Sequence, residues 1–136
     1  TLNLVLENLS DVNKILVLGI TYLEDVGDIR FSASEKLISL LIKRKLSVDC
    51  FDPLISYSNC KEVKMLGDLP KAINYSVIIL AVKHSFFKDL NFSDWLYNFS
   101  GTLIDSNNVL DGSELRDLKK QGINVKAIGR GGLWKY

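Results

Sequence analysis

Apolar residues in this chain come in short runs, and the stretches between them repeatedly carry helical spacing. Residues 2–9 place Leu2, Val5, Leu6 and Leu9 on one helical face, closed by Ser10 and Asp11. We read residues 1–12 as the end of a linker helix from an upstream domain and residues 13–136 as one further domain. Residues 14–19 predict the first strand. A helix follows from about Ser34 to Arg44, with Leu37, Ile38, Leu40 and Leu41 as its buried face. Lys43, Arg44 and Lys45 sit at its end, where cations suit the dipole.

The second strand, residues 47–51, stops at Asp52-Pro53, because proline cannot donate to a ladder and holds the preceding residue extended. Residues 68–74 predict a short helix. The β-branched run VIILAV, residues 77–82, predicts a buried parallel strand. Residues 84–96 predict two short helical turns, and Trp95, Tyr97 and Phe99 are expected to pack against the sheet. A fourth strand at 102–105, a helix at 113–121 capped by Ser113 and stopped by Gly122, and a fifth strand at 123–128 complete the pattern. Strands alternating with helices imply an α/β fold. The expected architecture is a Rossmann-like, doubly wound, mostly parallel sheet of about five strands with helices on both faces.

Composition narrows the partners. The 136 residues are 47% hydrophobic and 24% charged, which fits a folded globular domain. Seventeen basic residues against sixteen acidic ones give no reason to expect a nucleic-acid or anionic-membrane surface. No apolar run approaches the roughly 20 residues that span a bilayer, and no signal peptide is visible. A cytoplasmic chain is expected. The first residue, Thr rather than Met, suggests a processed chain or a piece of a longer one. Cys50 and Cys60 make no metal pattern and are expected to stay unpaired, with Cys50 a small buried hydrophobe.

The candidate chemistry lies in residues 14–34. An apolar strand ends at Gly19, a long loop carries Glu24, Asp25, Asp28 and Arg30, and a helix starts at Ser32 or Ser34. Open α/β sheets bind ligands at such strand ends, where helix N–H groups are open and where the switch point between the first and fourth strands lies. The loop lacks a dinucleotide fingerprint: its two glycines, Gly19 and Gly27, are too far apart for a pyrophosphate turn. Arg30 either staples the loop through Asp25 and Asp28 or forks onto a phosphate. The single histidine, His84, has no partners for a metal site or a triad and reads as a helix-start or packing residue. Asp105 ends a strand and could serve a ligand or cap the next turn. Arg130 could be solvated or reach a phosphate.

Five blocks in order resemble the C-terminal, nucleotide-sugar-binding domain of the UDP-glucose/GDP-mannose dehydrogenase family. VLGITYLEDVGDIRFSAS, residues 17–34, is similar to that family's VLGLAFK-x-x-T-D-D-x-R-x-S-P block. Val48 to Pro53 resembles its V-x-x-Y-D-P, and Val77 to Phe87 its V-I-x-A-x-x-H-x-x-F. DSNNVL, residues 105–110, resembles its D-x-R-N-V-L, and Ile128-Gly129-Arg130 its I-G-R.

The resemblance implies an NAD-dependent 6-dehydrogenase that converts UDP-glucose or a UDP-N-acetylhexosamine to its uronic acid. NAD would be bound mainly by an absent N-terminal domain, and the catalytic cysteine would lie upstream, so no catalytic residue is expected here. It implies a UDP-sugar partner, upstream catalytic domains of the same chain and a homodimer at full length. Tyr22, Leu23 and Asn107 would fall at substrate-site positions and Arg30 at the position that reaches the cofactor. Asp28, Asp105 and Arg130 are further candidates. The chain departs from the family at Leu23 and Asn107, where lysine and arginine are usual, and at Ala33, where proline is usual. Each missing cation removes a charge-assisted contact of about 1.5–3 kcal/mol. A degenerate, non-catalytic homologue serving as a nucleotide-binding or assembly module is therefore the alternative. A flavodoxin-like or response-regulator-like domain fits less well, since the third strand ends Ala81-Val82-Lys83 without a phospho-acceptor aspartate.

Overall fold

The computed structural model describes residues 2–7, 14–21, 23–29 and 32–128. Its strands are β1 (Lys14–Leu18), β2 (Ser47–Phe51), β3 (Lys64–Met65), β4 (Val77–Leu80), β5 (Thr102–Asp105) and β6 (Asn124–Ala127). All pair in parallel, in the order β3-β2-β1-β4-β5-β6. The helices are α1 (Leu2–Glu7), α2 (Ala33–Lys43), α3 (Ser85–Lys88), α4 (Phe92–Trp95) and α5 (Gly112–Lys120). Among the described residues no helix is long and apolar enough to cross a membrane.

Alternation within each strand sorts the core into two layers. Ile15, Val17, Val77, Ile79 and Ile104 point to one face, where Val5 of α1 and Ile38 and Leu41 of α2 cover them. Leu16, Leu18, Ile78, Leu80 and Leu103 point to the other, under Phe92 and Leu96 and under Leu115 and Leu118 of α5. A sheet buried on both faces needs apolar residues at every position, which is why β1 and β4 read as continuous runs. Cys50 lies wholly buried in the α2 layer, where burial pushes its thiol well up, and both cysteines are free.

Five expectations need correction. The sheet has a sixth strand, β3, whose two residues at an edge are too few to show a period. The helix expected at 68–74 is only a 3-10 turn at Ala72–Asn74. Pro70 interrupts the segment, and its carbonyl accepts the Trp95 indole N–H at 2.9 Å instead of a helical bond. Helix α5 is capped by Asp111, not Ser113. Asp111 accepts the Glu114 N–H at 2.8 Å while Glu114 accepts the Asp111 N–H at 3.1 Å, a capping box that leaves Ser113 in the first turn. Tyr97 is 70% exposed and does not pack on the sheet, although Phe99 does. The switch point lies between β1 and β4, the first and third of the expected strands, because the chain crosses from the β3 edge to β4 on the other side of β1.

Candidate functional site at the switch point

The chain leaves β1 through Gly19, whose φ of +100° suits a residue without a side chain. A Cβ there would stand 2.6 Å from the Cβ of Val82, so the strand end passes tightly against the segment following β4. The Gly19 N–H donates to the Phe51 carbonyl at 2.9 Å and the Ile20 N–H to Asp52 Oδ2 at 2.8 Å. At the far end of the loop, Ser32 Oγ donates to the Ile20 carbonyl at 2.6 Å and accepts the Glu35 N–H at 3.2 Å. One hydroxyl thus closes the loop into a ring and caps α2.

Two buried side chains from neighbouring strand ends hold the ring. His84, fully buried before α3, accepts the Asp25 N–H on Nδ1 at 2.8 Å. Its proton therefore sits on Nε2, which donates to Asp52 Oδ2 at 2.9 Å with Thr21 Oγ1 3.1 Å away. Asp52 also accepts the Leu54 N–H on Oδ1 at 2.8 Å. Burial alone would push the Asp52 carboxyl up, but the bonds from His84, Ile20 and Leu54 more than reverse that and hold it below the usual value. Asp25, at φ +58°, accepts the Ser85 N–H at 2.9 Å and the Ser85 hydroxyl at 2.7 Å, which depress its carboxyl in that order.

A cavity of about 430 Å³ opens beside this ring, a volume in the range of small-ligand sites. Thr21 from the β1 end, Ala81 and Val82 from the β4 end and Ser106 and Asn107 from the β5 end form one side. The first turns of α2 and Leu2 of α1 form the other. Leu40, expected in the buried stripe of α2, instead lies partly exposed on this wall.

Of the residues singled out from sequence, Asn107 reaches the cavity, its Nδ2 donating to the Ala81 carbonyl at 3.4 Å. Leu23 is 53% exposed outside its walls, and its carbonyl accepts the Thr21 hydroxyl at 2.8 Å. Asp28 is half-buried on the ring. Asp105 is fully buried and caps the turn after β5, accepting the N–H groups of Asn107, Val109 and Leu110 at 2.9–3.2 Å. Tyr22, Arg30 and Arg130 lie outside the described residues. Sequence reasoning missed Asp52, Thr21, Ser34, Lys36 and Ser106. The signal available for Asp52 was its place before Pro53 at a strand's C-terminal end.

Residues 16–112 match the UDP-glucose/GDP-mannose dehydrogenase family, UDP binding domain. The chain is 33% identical over 124 residues to UDP-glucose 6-dehydrogenase of Rickettsia prowazekii, covering 85% of this chain and 27% of that protein. It is 28% identical over 128 residues to UDP-N-acetyl-D-mannosamine dehydrogenase of Methanocaldococcus jannaschii, covering 89% and 28%. The solved structure of an NDP-N-acetyl-D-galactosaminuronic acid dehydrogenase from Methanosarcina mazei superposes with a TM-score of 0.72 at 26% identity, over 88% of this chain and 25% of that one. The chain spans about a quarter of the length of the curated relatives it matches. With its sheet order, its switch-point cavity and the match over residues 16–112, this chain belongs to the UDP-glucose/GDP-mannose dehydrogenase family, in the region of that family's UDP binding domain.

Proposed function

We propose that this chain is the C-terminal, UDP-sugar-binding domain of an NAD-dependent nucleotide-sugar 6-dehydrogenase, acting on UDP-glucose or a UDP-N-acetylhexosamine in the cytoplasm. The observation that carries the reading is the cavity at the switch point, inside the segment that matches the UDP binding domain. In this reading residues 1–12 end a linker helix, residues 13–136 are the binding domain, and the full-length chain forms a homodimer. Asn107 contacts the nucleotide from the β5 end, Tyr22 and Leu23 contribute from the ring, and Arg30 reaches toward the cofactor, with Asp28 and Arg130 as further candidates. The Asp52–His84 pair serves indirectly, by fixing the ring.

The residues present do not fit NAD as a resident of this crevice. Ring closure by Ser32 and the separation of Gly19 from Gly27 leave no closely spaced glycine turn for a pyrophosphate. NAD is accordingly assigned to the upstream domain, as is the thiol chemistry of sugar oxidation, which neither buried Cys50 nor Cys60 supplies. This chain binds and orients.

Calorimetric titration with UDP, UDP-glucose and NAD, at low and moderate salt, tests the reading. Saturable, salt-sensitive UDP binding that weakens in Tyr22→Ala supports it. Binding of NAD in preference to UDP would overturn it. Leu23 and Asn107 favour a second reading, a homologue that has lost turnover. If Leu23→Lys with Asn107→Arg creates UDP binding where the natural chain has none, that second reading holds.

A further inference from the structure

The polar groups on the cavity wall are not evenly spent. Thr21 donates its hydroxyl proton to Leu23 and Ser106 donates its own to the Leu80 carbonyl at 3.0 Å. Ser34 differs. It is 95% buried by a relative exposure of 5%, it lines the cavity, and its hydroxyl has no hydrogen-bond partner among the described residues. An unpaired buried hydroxyl costs stability unless a ligand takes it up.

Ser34 stands in the first turn of α2, an 11-residue helix with a full end dipole. Of the N–H groups open at that end, Glu35 is taken by Ser32 Oγ and Lys36 reaches the Ser32 carbonyl at 3.4 Å. Those of Ala33 and Ser34 have no partner among the described residues, and both residues line the cavity. Among the described residues Lys36 is the charged side chain on the wall, and no carboxylate lines it. Glu35 is turned away, its carboxylate accepting the Ser58 hydroxyl at 2.9 and 3.0 Å and the Asn59 N–H at 3.0 Å. Among the described residues the unspent groups at this end of the cavity are two backbone N–H donors and a hydroxyl that can donate, and beside one cation and no carboxylate they favour an anion.

We propose that the first turn of α2 is a phosphoryl-binding subsite, in which the N–H groups of Ala33 and Ser34, the Ser34 hydroxyl and the Lys36 ammonium hold a phosphate-ester oxyanion. Lys36 supplies, from the helix side of the cavity, the cation that Asn107 cannot supply from the strand side. The apolar wall of Leu37, Leu40 and Val82 is left for the uncharged part of the ligand. The carrier of the phosphate, a nucleoside diphosphate, rests on the function proposed above; the subsite itself does not.

Amide and side-chain NMR of the 136-residue chain, titrated at low salt with inorganic pyrophosphate, UDP and uridine, tests both separately. Pyrophosphate and UDP are expected to shift the Ala33 and Ser34 amides saturably, and uridine to leave them unmoved. Lys36→Gln should weaken pyrophosphate about tenfold and Ser34→Ala a few-fold, with the dispersion of the spectrum reporting that each variant is folded. Pyrophosphate that moves no amide in residues 33–36, or binds Lys36→Gln as tightly as the natural chain, overturns the subsite. UDP bound without shifts at 33–36 overturns the subsite and leaves the nucleotide reading standing. Pyrophosphate bound at 33–36 with no gain from the uridine moiety supports the subsite and counts against the nucleotide reading.

Discussion

Asp52 and His84 lie 32 residues apart in sequence and meet at 2.9 Å beneath the ring that follows β1. The carboxylate takes three donors, and the imidazole bridges it to the Asp25 backbone. Replacing Asp52 by alanine strands the Ile20 N–H and the His84 Nε2–H in a buried place, and frees the part-buried Leu54 N–H. We expect a loss of about 3–5 kcal/mol in urea unfolding. A loss below about 1 kcal/mol would mean that water satisfies these donors.

The same carboxyl sets an acid limit. It is held below its ordinary value of 3.8, so the folded chain binds this proton less readily than the unfolded one. Its contribution is therefore whole above about pH 4 and is lost as pH falls from there through the folded value. Asp25 is depressed too and acts with the same sign. Unfolding midpoints measured on descending pH should fall more steeply for the natural chain than for Asp52→Asn. Parallel slopes would remove Asp52 as a source.

Gly19→Ala combines a strained φ of +100° with a Cβ placed 2.6 Å from Val82. Each effect costs about 1–3 kcal/mol, and the contact is with a stiff β-branched side chain. Thermal unfolding should show a lowered midpoint, and Val82→Ala should recover little of it, because alanine keeps the Cβ at 2.6 Å and the backbone N at 2.9 Å and removes only the Cγ2 contact at 2.8 Å.

Ser32→Ala removes both the α2 cap and the bond that closes the ring. We expect about 1–2 kcal/mol of lost stability by chemical denaturation. UDP affinity should fall further than stability does, because the ring and the first turn of α2 both border the cavity. Unchanged affinity in a folded variant would separate ring closure from binding.

The strands with long apolar runs were legible because burial on both faces writes itself into every position, as in Val77 to Leu80. β3 was not, since Lys64 and Met65 owe their state to pairing with Asp49 and Cys50. The sequence reads His84 as a helix-start or packing residue, and it does immediately precede α3 and is fully buried, but its bond to Asp52 crosses between strand ends and leaves no trace in local spacing. Of the two readings open for Asp105, the cap is the one its hydrogen bonds show. Ser34 and Lys36 were hidden because a helix is recognised by its apolar stripe. What its first polar turn faces depends on where the neighbouring strands end.

The bonds that suspend the ring close sequence separations of 32 and 59 residues, so they exist only when β1, β2 and β4 are in register. A surface connection ordinarily opens by itself, many times for each unfolding of the domain. This one is tied at Ile20 and Asp25 to side chains that follow two other strands. Amide protons at Ile20 and Asp25 should exchange with solvent only as fast as the sheet comes apart, which makes them reporters of global rather than local opening, whereas the Leu54 amide, bonded two residues away to Asp52, should exchange by local opening. A ligand arriving at the cavity meets a border already set by the whole domain, and a domain that loosens anywhere in those three strands loses the border at once.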